Sequence, residues 1–461
     1  MFMKKGALII FLFAFATSLY SQPITHSSDI KEQTIVLYGA NYAAVFETRE
    51  VELQRGLNRI IINGLPDLYD QSNLEVFLSG YQIEYTAPNP YINFENYYKQ
   101  LIGETITLQN NSESITGKVE GFQSGTLVLI DEQGRRQLIS AVHNYRIILP
   151  DSVDSPFHSV FPSVLVHVEQ AGKQEVELFY VHNQMGWTAE HRMLVNEETG
   201  LLSWTTLGFI HNRTSQSFKN TRYVLISGEM NLIGGGGYPS PVMMRSMAAE
   251  SAMDSDFMAQ TEEFSDFYKY TFQSESVLSS GGSLQFSILN KNEVPFVKRY
   301  EHSISLHGSN RQNLKPEIAW YVETDEDGLG VTIPAGKVRV TNRDDDGMMI
   351  LGEQSIGFIT PGDELKIRTG RASDISIEEV RNTQTVQNQG YTDYEVTYKI
   401  RNNREKPFSL DLRYQRPANS EILEQTLEPV VKGNLNTYIV ELNPESDSEF
   451  NIKIRIFQRR N

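Results

Sequence analysis

The 461-residue sequence contains no cysteine. Disulfides, thiol nucleophiles, cysteine-ligated zinc, iron–sulfur clusters and a lipidated N-terminal cysteine are thereby excluded. Positive charge is scarce as well: 41 Lys and Arg stand against 58 Asp and Glu, a net charge of −17. So acidic a chain is a poor partner for phosphate backbones or anionic membrane surfaces, and nucleic acid is not an expected ligand. After the first 21 residues no apolar run reaches the ~18 residues that a spanning helix needs, so no membrane insertion of the mature chain is expected.

The signatures of common reaction centres are missing too. There is no G-x-S-x-G, and Ser227 has Leu225 and Glu229 where the glycines should stand. Gly234–Gly237 is followed by neither Lys–Ser/Thr nor a helical pattern, so it is not a phosphate loop. The nine histidines form no HExxH or His-x-His. His302 and His307 are five apart, which puts them on opposite faces of a strand. His182 and His191 flank Met185–Thr188, read as the turn of a hairpin. Facing each other across it they would make half a metal site, and polar hairpin residues are the simpler reading. Trp187 lies four residues before His191 on the same strand face, which favours packing. Trp187, Trp204 and Trp320 are spread widely and read as core residues rather than as a sugar-stacking platform.

What is present begins with a leader. Lys4 and Lys5 precede an unbroken apolar stretch, Gly6 to Ala16, and Thr17 to Ser21 turns small and polar. This is the pattern of a secretory signal, with cleavage expected after Ser21 or, second, after Ser18. The expected location is the bacterial periplasm or the exterior, where a chain without cysteine must rest on its hydrophobic cores. Hydrophobic residues make up 39% and charged residues 21%, a composition that folds.

Most of the remainder alternates at period two, with Thr34, Val36 and Tyr38 opposing Gln33, Ile35 and Leu37 at its start. Turn signals recur about every 8–12 residues, and Tyr and Phe are abundant, which predicts an all-β chain of β-sandwich domains. Residues 30–96 read as an N-terminal β segment, with two helical turns expected over Phe94–Ile102. Leu101–Pro150 reads as a small SH3-like barrel of five strands: Thr105–Gln109, Ser114–Phe122, Thr126–Asp131, Arg135–Ser140 and Tyr145–Leu149. Residues 156–310 read as a β-sandwich carrying a mobile loop over 234–266. Met243–Phe264 within it fits at most a loose helix, and strands resume at Phe267–Val277, Ser283–Leu289 and Phe296–Leu306. Residues 316–461 read as a C-terminal sandwich with an immunoglobulin-like part over Tyr391–Phe457.

The sharpest motif is NRDDDGMMILGE. Counted as a calcium loop it places Asn342, Asp344 and Asp346 at positions 1, 3 and 5, Gly347 at 6 and Glu353 at 12. Such loops sit between helices, whereas Lys337–Thr341 and Met348–Leu351 read as strands, so Asp345–Asp346–Gly347 is expected to be a hairpin turn. No metal and no cofactor are expected.

Several segments, taken in order, resemble one bacterial family. They are QTIVLYGANYAAVFETREVELQRGLNRIIINGLP (Gln33–Pro66), LIGETITL (Leu101–Leu108), NQMGWTAEHRMLV (Asn183–Val195) and NRTSQSFKNTRYVLISGEMNL (Asn212–Leu232). IPAGKVRVTNRDDDGMMILGEQSI (Ile333–Ile356) and LKIRTGRASDI (Leu365–Ile375) continue the match. The family is the domain-of-unknown-function family numbered 4139, some longer members of which carry a mucoidy-inhibitor label. The resemblance implies an exported β-rich protein and supplies no catalytic residues. Longer members place a coiled coil where this chain has Leu101–Pro150, so partners of that coiled coil do not carry over. The expectation is a non-enzymatic, monomeric binding or scaffolding protein of the cell envelope, its partner an envelope protein or glycan. The alternative is a hydrolase of cell-surface polysaccharide working through a carboxylate pair.

Overall fold

The computed structural model describes residues 23–457 except 28, 40, 68, 90, 92, 151–152, 154–155, 229–259, 265–266 and 387–389. The leader, Gly234–Gly237 and most of the expected loop 234–266 lie outside the described residues. Strands take 63% of the chain and helix 4%, so the fold is all-β. No helix among the described residues is long and apolar enough to cross a membrane. The chain divides into two compact units, one within Met1–Thr34 and Ala44–His182, the other within Ile35–Ala43 and Asn183–Asn461. The block read from residue 156 onward is thus split, for its strands Ser163–Val168 and Gly172–His182 belong to the first unit.

The first unit holds a four-stranded sheet in the order Ile24–His26, Gly56–Ile61, Ser163–Val168, Ile83–Thr86. In a second sheet Tyr42–Leu53, Gly172–His182 and Glu75–Leu78 are neighbours. The period-two rule shows clearly in Tyr42–Leu53, where Val45, Glu47, Arg49, Val51 and Leu53 all point inward. Two charged residues therefore occupy core positions of an otherwise apolar stripe.

The segment read as a small barrel forms its five strands within about a residue of expectation, in the spatial order Arg136–Ser140, Thr126–Ile130, Ser114–Gln123, Thr105–Gln109, Arg146–Ile148. It wraps its own core of Leu101, Ile106, Leu108, Val119, Leu127, Leu129, Ile139 and Val142. The ladder does not close into a barrel. The last strand is three residues long and pairs only with Thr105–Gln109, so it never reaches Arg136–Ser140. Curvature comes from the irregular pairing between Val119 and Gly121. Gly117 lets two strands approach closely, since a Cβ there would lie 2.7 Å from the Ile130 carbonyl oxygen.

The second unit is built on a 21-residue strand, Ser283–Ser303. Its first part pairs with Leu201–Asn212, its middle with Glu317–Val322, and its end runs parallel to Phe408–Gln415. The sequence suggested two strands here, Ser283–Leu289 and Phe296–Leu306. The structure absorbs the residues between them instead, with Glu293 in the left-handed region at φ 57°. The expected loop also ends early: Gln260–Phe264 is a strand, paired antiparallel with Phe267–Ser274.

Two cores result. Met193, Trp204, Phe296, Trp320, Val338 and Ile367 belong to one. Ile377, Tyr398, Leu410, Leu412, Tyr438 and Phe450 belong to the other, between the Phe408–Gln415 and Leu435–Leu442 strands and the Ile375–Val386, Tyr391–Asn402 and Asp447–Phe457 sheet. The C-terminal strands thus pack as a sandwich, but Trp320, Val338 and Ile367, read as part of a block 316–461, belong to the core of Met193 and Trp204, because Gly336–Asp344 pairs with Met185–Asn196.

Candidate binding cleft and buried charge clusters

A cleft of about 400 Å³ opens on the small five-stranded sheet, lined by Phe94, Tyr98, Phe122, Gly125, Val142 and His143. Phe94 and Tyr98 share one face of the helix Phe94–Gln100, being four residues apart. Asn93 caps that helix by accepting from the Asn96 amide at 3.0 Å. Phe122 comes from the end of Ser114–Gln123, where Ser124 and Gly125 at φ 47° and 79° turn the chain back. The rings lie 6.2 Å (Phe94–Tyr98) and 4.8 Å (Tyr98–Phe122) apart and are tilted against one another. Phe94 is 45% exposed, an unusual amount for a ring with two aromatic neighbours, Tyr98 and Phe157. Val142 is buried and holds the turn that presents His143. Apart from His143 the lining side chains carry no charge, so the cleft favours apolar or aromatic ligand surface.

Among the described residues four carboxylates are buried: Asp411 pairs with Arg299 at 3.0 Å, and Glu47, Glu379 and Glu301 each accept from several donors. In the first unit Glu47 accepts from Arg49 Nε at 2.8 Å, Gln33 Nε2 at 2.8 Å and the Tyr180 hydroxyl at 2.8 Å. Arg49, 1% exposed, also donates to the carbonyls of Ser27 and Asn63, each at 2.5 Å. Burial, then the Glu47 charge, drive the Tyr180 hydroxyl well above the ordinary tyrosine range.

In the second unit Glu379, fully buried, accepts from His302 at 2.7 Å, from Arg311 at 2.8 and 3.2 Å, and from Arg381. Burial alone would raise its pKa, but the bonds from His302 and Arg311 and the Arg381 charge outweigh it and hold the carboxyl at about 2. Glu301 is bound by Lys366, by the Tyr321 hydroxyl and by Arg413 at 3.0 Å. Against its burial, Lys366 and Tyr321 hold it below the usual carboxylate range. Glu379 and Glu301, held below the usual carboxylate range and ringed by donors, are neither proton donors at neutral pH nor free bases, and all three clusters serve as structural clamps.

A depression of about 670 Å³ on the outer face of the C-terminal sheet is lined by Glu378, Lys399, Arg401, Asp447 and Glu449 among others. Their charges alternate from strand to strand, with Lys399–Glu378 at 3.9 Å and Arg401–Asp447 at 3.8 Å, a self-neutralised solvated face.

The calcium-loop candidates are placed on a hairpin. Gly336–Asp344 and Gly347–Ile356 pair antiparallel with Asp344 opposite Gly347. Asp344 accepts from the Asp346 amide at 3.0 Å, closing the turn. Asn342 uses its side-chain oxygen on the Arg343 amide. Glu353 lies about 20 Å along the strand from the turn, opposite Arg339, which donates to it at 2.6 Å. The four residues do not converge, and among the described residues no three His, Asp or Glu side chains are grouped as a metal would need. Millimolar calcium is therefore expected to leave the melting temperature unchanged. Asp344→Asn, which keeps the turn acceptor, is expected to cost no more than about 0.5 kcal/mol. A calcium-dependent rise abolished by Glu353→Gln would reverse this assignment.

His182 and His191 do not share a hairpin. His182 ends Gly172–His182 in the first unit, and His191 sits within Met185–Asn196, whose hairpin partner is Leu201–Asn212. The chain leaves one sheet for another at Asn183, which period-two alternation on both sides does not reveal. His302 binds Glu379, and His307 meets the Tyr394 ring edge-on at 5.0 Å. The three Trp are core residues: their indole N–H groups donate to the Ile226 carbonyl (Trp187), Thr206 (Trp204) and Thr369 (Trp320). Ser227 is buried at the end of Thr221–Ser227.

The cleft escaped the sequence reading because its rings come from the helix and from a strand about two dozen residues later; the one local signal was Phe94 and Tyr98 at helical spacing. The buried clamps had a signal, Glu47 and Arg49 in phase with Val45, Val51 and Leu53. No family model matches the chain, and no curated protein matches it.

Proposed function

We propose that the protein is an exported, non-enzymatic binding or scaffolding component of the bacterial cell envelope, and that it engages its partner through the aromatic cleft of the first unit. The observation that carries this reading is the exposed Phe94 ring beside Tyr98 and Phe122 in an uncharged cleft. Partly exposed aromatic anchors in a preformed apolar groove are what binding surfaces use. The pairing of the buried carboxylates also supports it, because their charge is spent on internal partners. Export rests on the Lys4–Ser21 leader, and the envelope assignment on the ordered resemblance to family 4139.

The test is capture from the organism's own envelope fraction with the tagged mature chain and with a Phe94→Ser/Phe122→Ser variant. Loss of two ring anchors is expected to weaken retention of the specific partner by about 10–100-fold. Equal retention by both proteins would overturn the cleft assignment. Mature protein recovered with Met1 still attached would overturn export.

A further inference from the structure

His191 lies in the middle of Met185–Asn196, opposite Thr206 on one side and Val338 on the other. Its Nε2 is 3.1 Å from the Pro334 carbonyl oxygen and its Nδ1 is 3.0 Å from Thr206 Oγ1. A carbonyl only accepts, so Nε2 carries the proton of the neutral ring. Nδ1 is then a lone pair, and Thr206 donates its hydroxyl proton to it. Trp204 Nε1 donates in turn to Thr206 Oγ1 at 3.0 Å. The bonds run one way, Trp204 to Thr206 to His191 to Pro334. A second proton on Nδ1 would set two donors against one hydroxyl oxygen and turn the hydroxyl proton away from its acceptor.

Among the described residues, none on the strands flanking that face offsets a positive charge. Leu201–Asn212 presents Trp204 and Thr206, Gly336–Asp344 presents Gly336 and Val338, and the strand's own inward neighbours are Ala189 and Met193. Glu190, Arg192, Lys337 and Arg339 fall on the opposite face by alternation, where Lys337 reaches Glu190 at 3.7 Å and Arg339 binds Glu353. Thr332–Gly336 contains no ionisable residue. Tyr270 reaches that segment, its hydroxyl 3.5 Å from the Thr332 carbonyl oxygen, and stays neutral. Space is short as well, for a Cβ on Gly336 would lie 2.7 Å from His191 Nε2.

Besides His191, the segment is tied by the buried Ile333 side chain, by the Tyr270 hydroxyl on the Thr332 carbonyl and by the pairing of Gly336 with Ala189 and Ile356. Ile333 forms an isolated two-bond bridge with Ile359, and Pro334 is held by His191. It leads directly into Gly336–Asp344, the strand that pairs parallel with Met185–Asn196.

We propose that His191 is an acid-sensitive latch on Thr332–Gly336: the neutral ring pins the segment through Pro334, and a proton taken up in this uncompensated pocket releases it. Burial accordingly lowers the His191 pKa to about 4, against the opposing Pro334 bond.

Hydrogen exchange, corrected to protection factors, tests this in the full chain at pH 7 and pH 4.5. In the wild type, protection over residues 333–338 is expected to fall on the order of fiftyfold between the two, from the linkage between pinned and released rings. His191→Gln, whose amide still donates to Pro334 but does not titrate, should show no such fall. Amides of Tyr391–Asn402 serve as the reference for the whole second unit, and in the wild type they should lose less protection than residues 333–338. An equal fall in both proteins, or none in the wild type, would overturn the latch. Imidazole NMR of the wild type provides the second readout should the variant fail to fold. The Nε2–H tautomer at pH 7 and a titration midpoint below 5 are expected, and an Nδ1–H tautomer or a midpoint near 6.5 would overturn it.

Discussion

Arg49→Met is expected to destabilise the first unit by about 3–5 kcal/mol. The substitution keeps most of the side-chain volume, so the loss is electrostatic rather than a cavity. It removes the guanidinium that binds Glu47 at 2.5–2.8 Å and two main-chain carbonyls at 2.5 Å, all shielded from water. Glu47 would be left as a buried charge with only Gln33 and Tyr180 as donors. Glu47→Gln/Arg49→Met removes that stranded charge and is expected to be more stable than Arg49→Met alone, although two carbonyls stay unpaired. The first unit contains no Trp, since Trp187, Trp204 and Trp320 all lie in the second. Urea unfolding read by hydrogen exchange over Ala44–Leu53 and Gly56–Ile61 therefore reports the effect, and Trp emission serves as an independent monitor of the second unit. A loss below about 1 kcal/mol would mean that the clamp is not what holds Ser27 and Asn63 to the Tyr42–Leu53 strand.

Acidification is expected to weaken both units, through the buried histidines first and through Glu379 lower down. Burial lowers His182, in the first unit, and His191, in the second, to about 4 from an ordinary 6.5. Between those values the unfolded chain binds protons that the folded chain refuses, so stability falls as pH drops. Above 6.5 neither state is protonated and the contribution is complete; below 4 both are, and the loss stops growing. Each histidine accounts for about 3 kcal/mol over the window. Glu379 acts lower down. Its folded value of about 2 lies under the ordinary 4.5, so its stabilisation is present above 4.5 and lost as pH falls towards 2. The measurement is unfolding free energy against pH, with Trp emission for the second unit. His191→Gln should flatten that unit's profile between pH 6.5 and 4 and leave the decline below 4.5 in place. A wild-type profile flat down to pH 4.5 would contradict the burial of both rings in their neutral form.

The all-β fold was legible because period-two alternation with aromatic and β-branched residues leaves few other solutions. Thr105–Gln109 through Arg146–Ile148 could be placed to about a residue, since each of its turns carries a Gly or Asn that permits the bend. The turn reading of Asp344–Gly347 came from the same local source, strand-like sequence on both sides. Local signals also misled. Asn290–Pro295 has turn composition, yet ladder bonds on both sides of Ser283–Ser303 outweigh the left-handed strain at Glu293. His182 and His191 were paired across a hairpin because alternation shows that a strand exists and says nothing of which strand it joins.

By itself the sequence determined the strand content and the turns, because each depends on residue type or on neighbours a few positions apart. Only the tertiary structure decided the division at Thr34, Ala44 and His182, the failure of the small sheet to close, the assembly of Phe94, Tyr98 and Phe122 into one cleft, and the partners of Glu47, Glu301 and Glu379. Those depend on strand order. Glu47 meets Tyr180 across 133 positions and Glu301 meets Arg413 across 112. No periodicity in a single sequence encodes which of many similar strands will lie side by side, because the ladder bonds that join them are main-chain bonds common to every residue but proline.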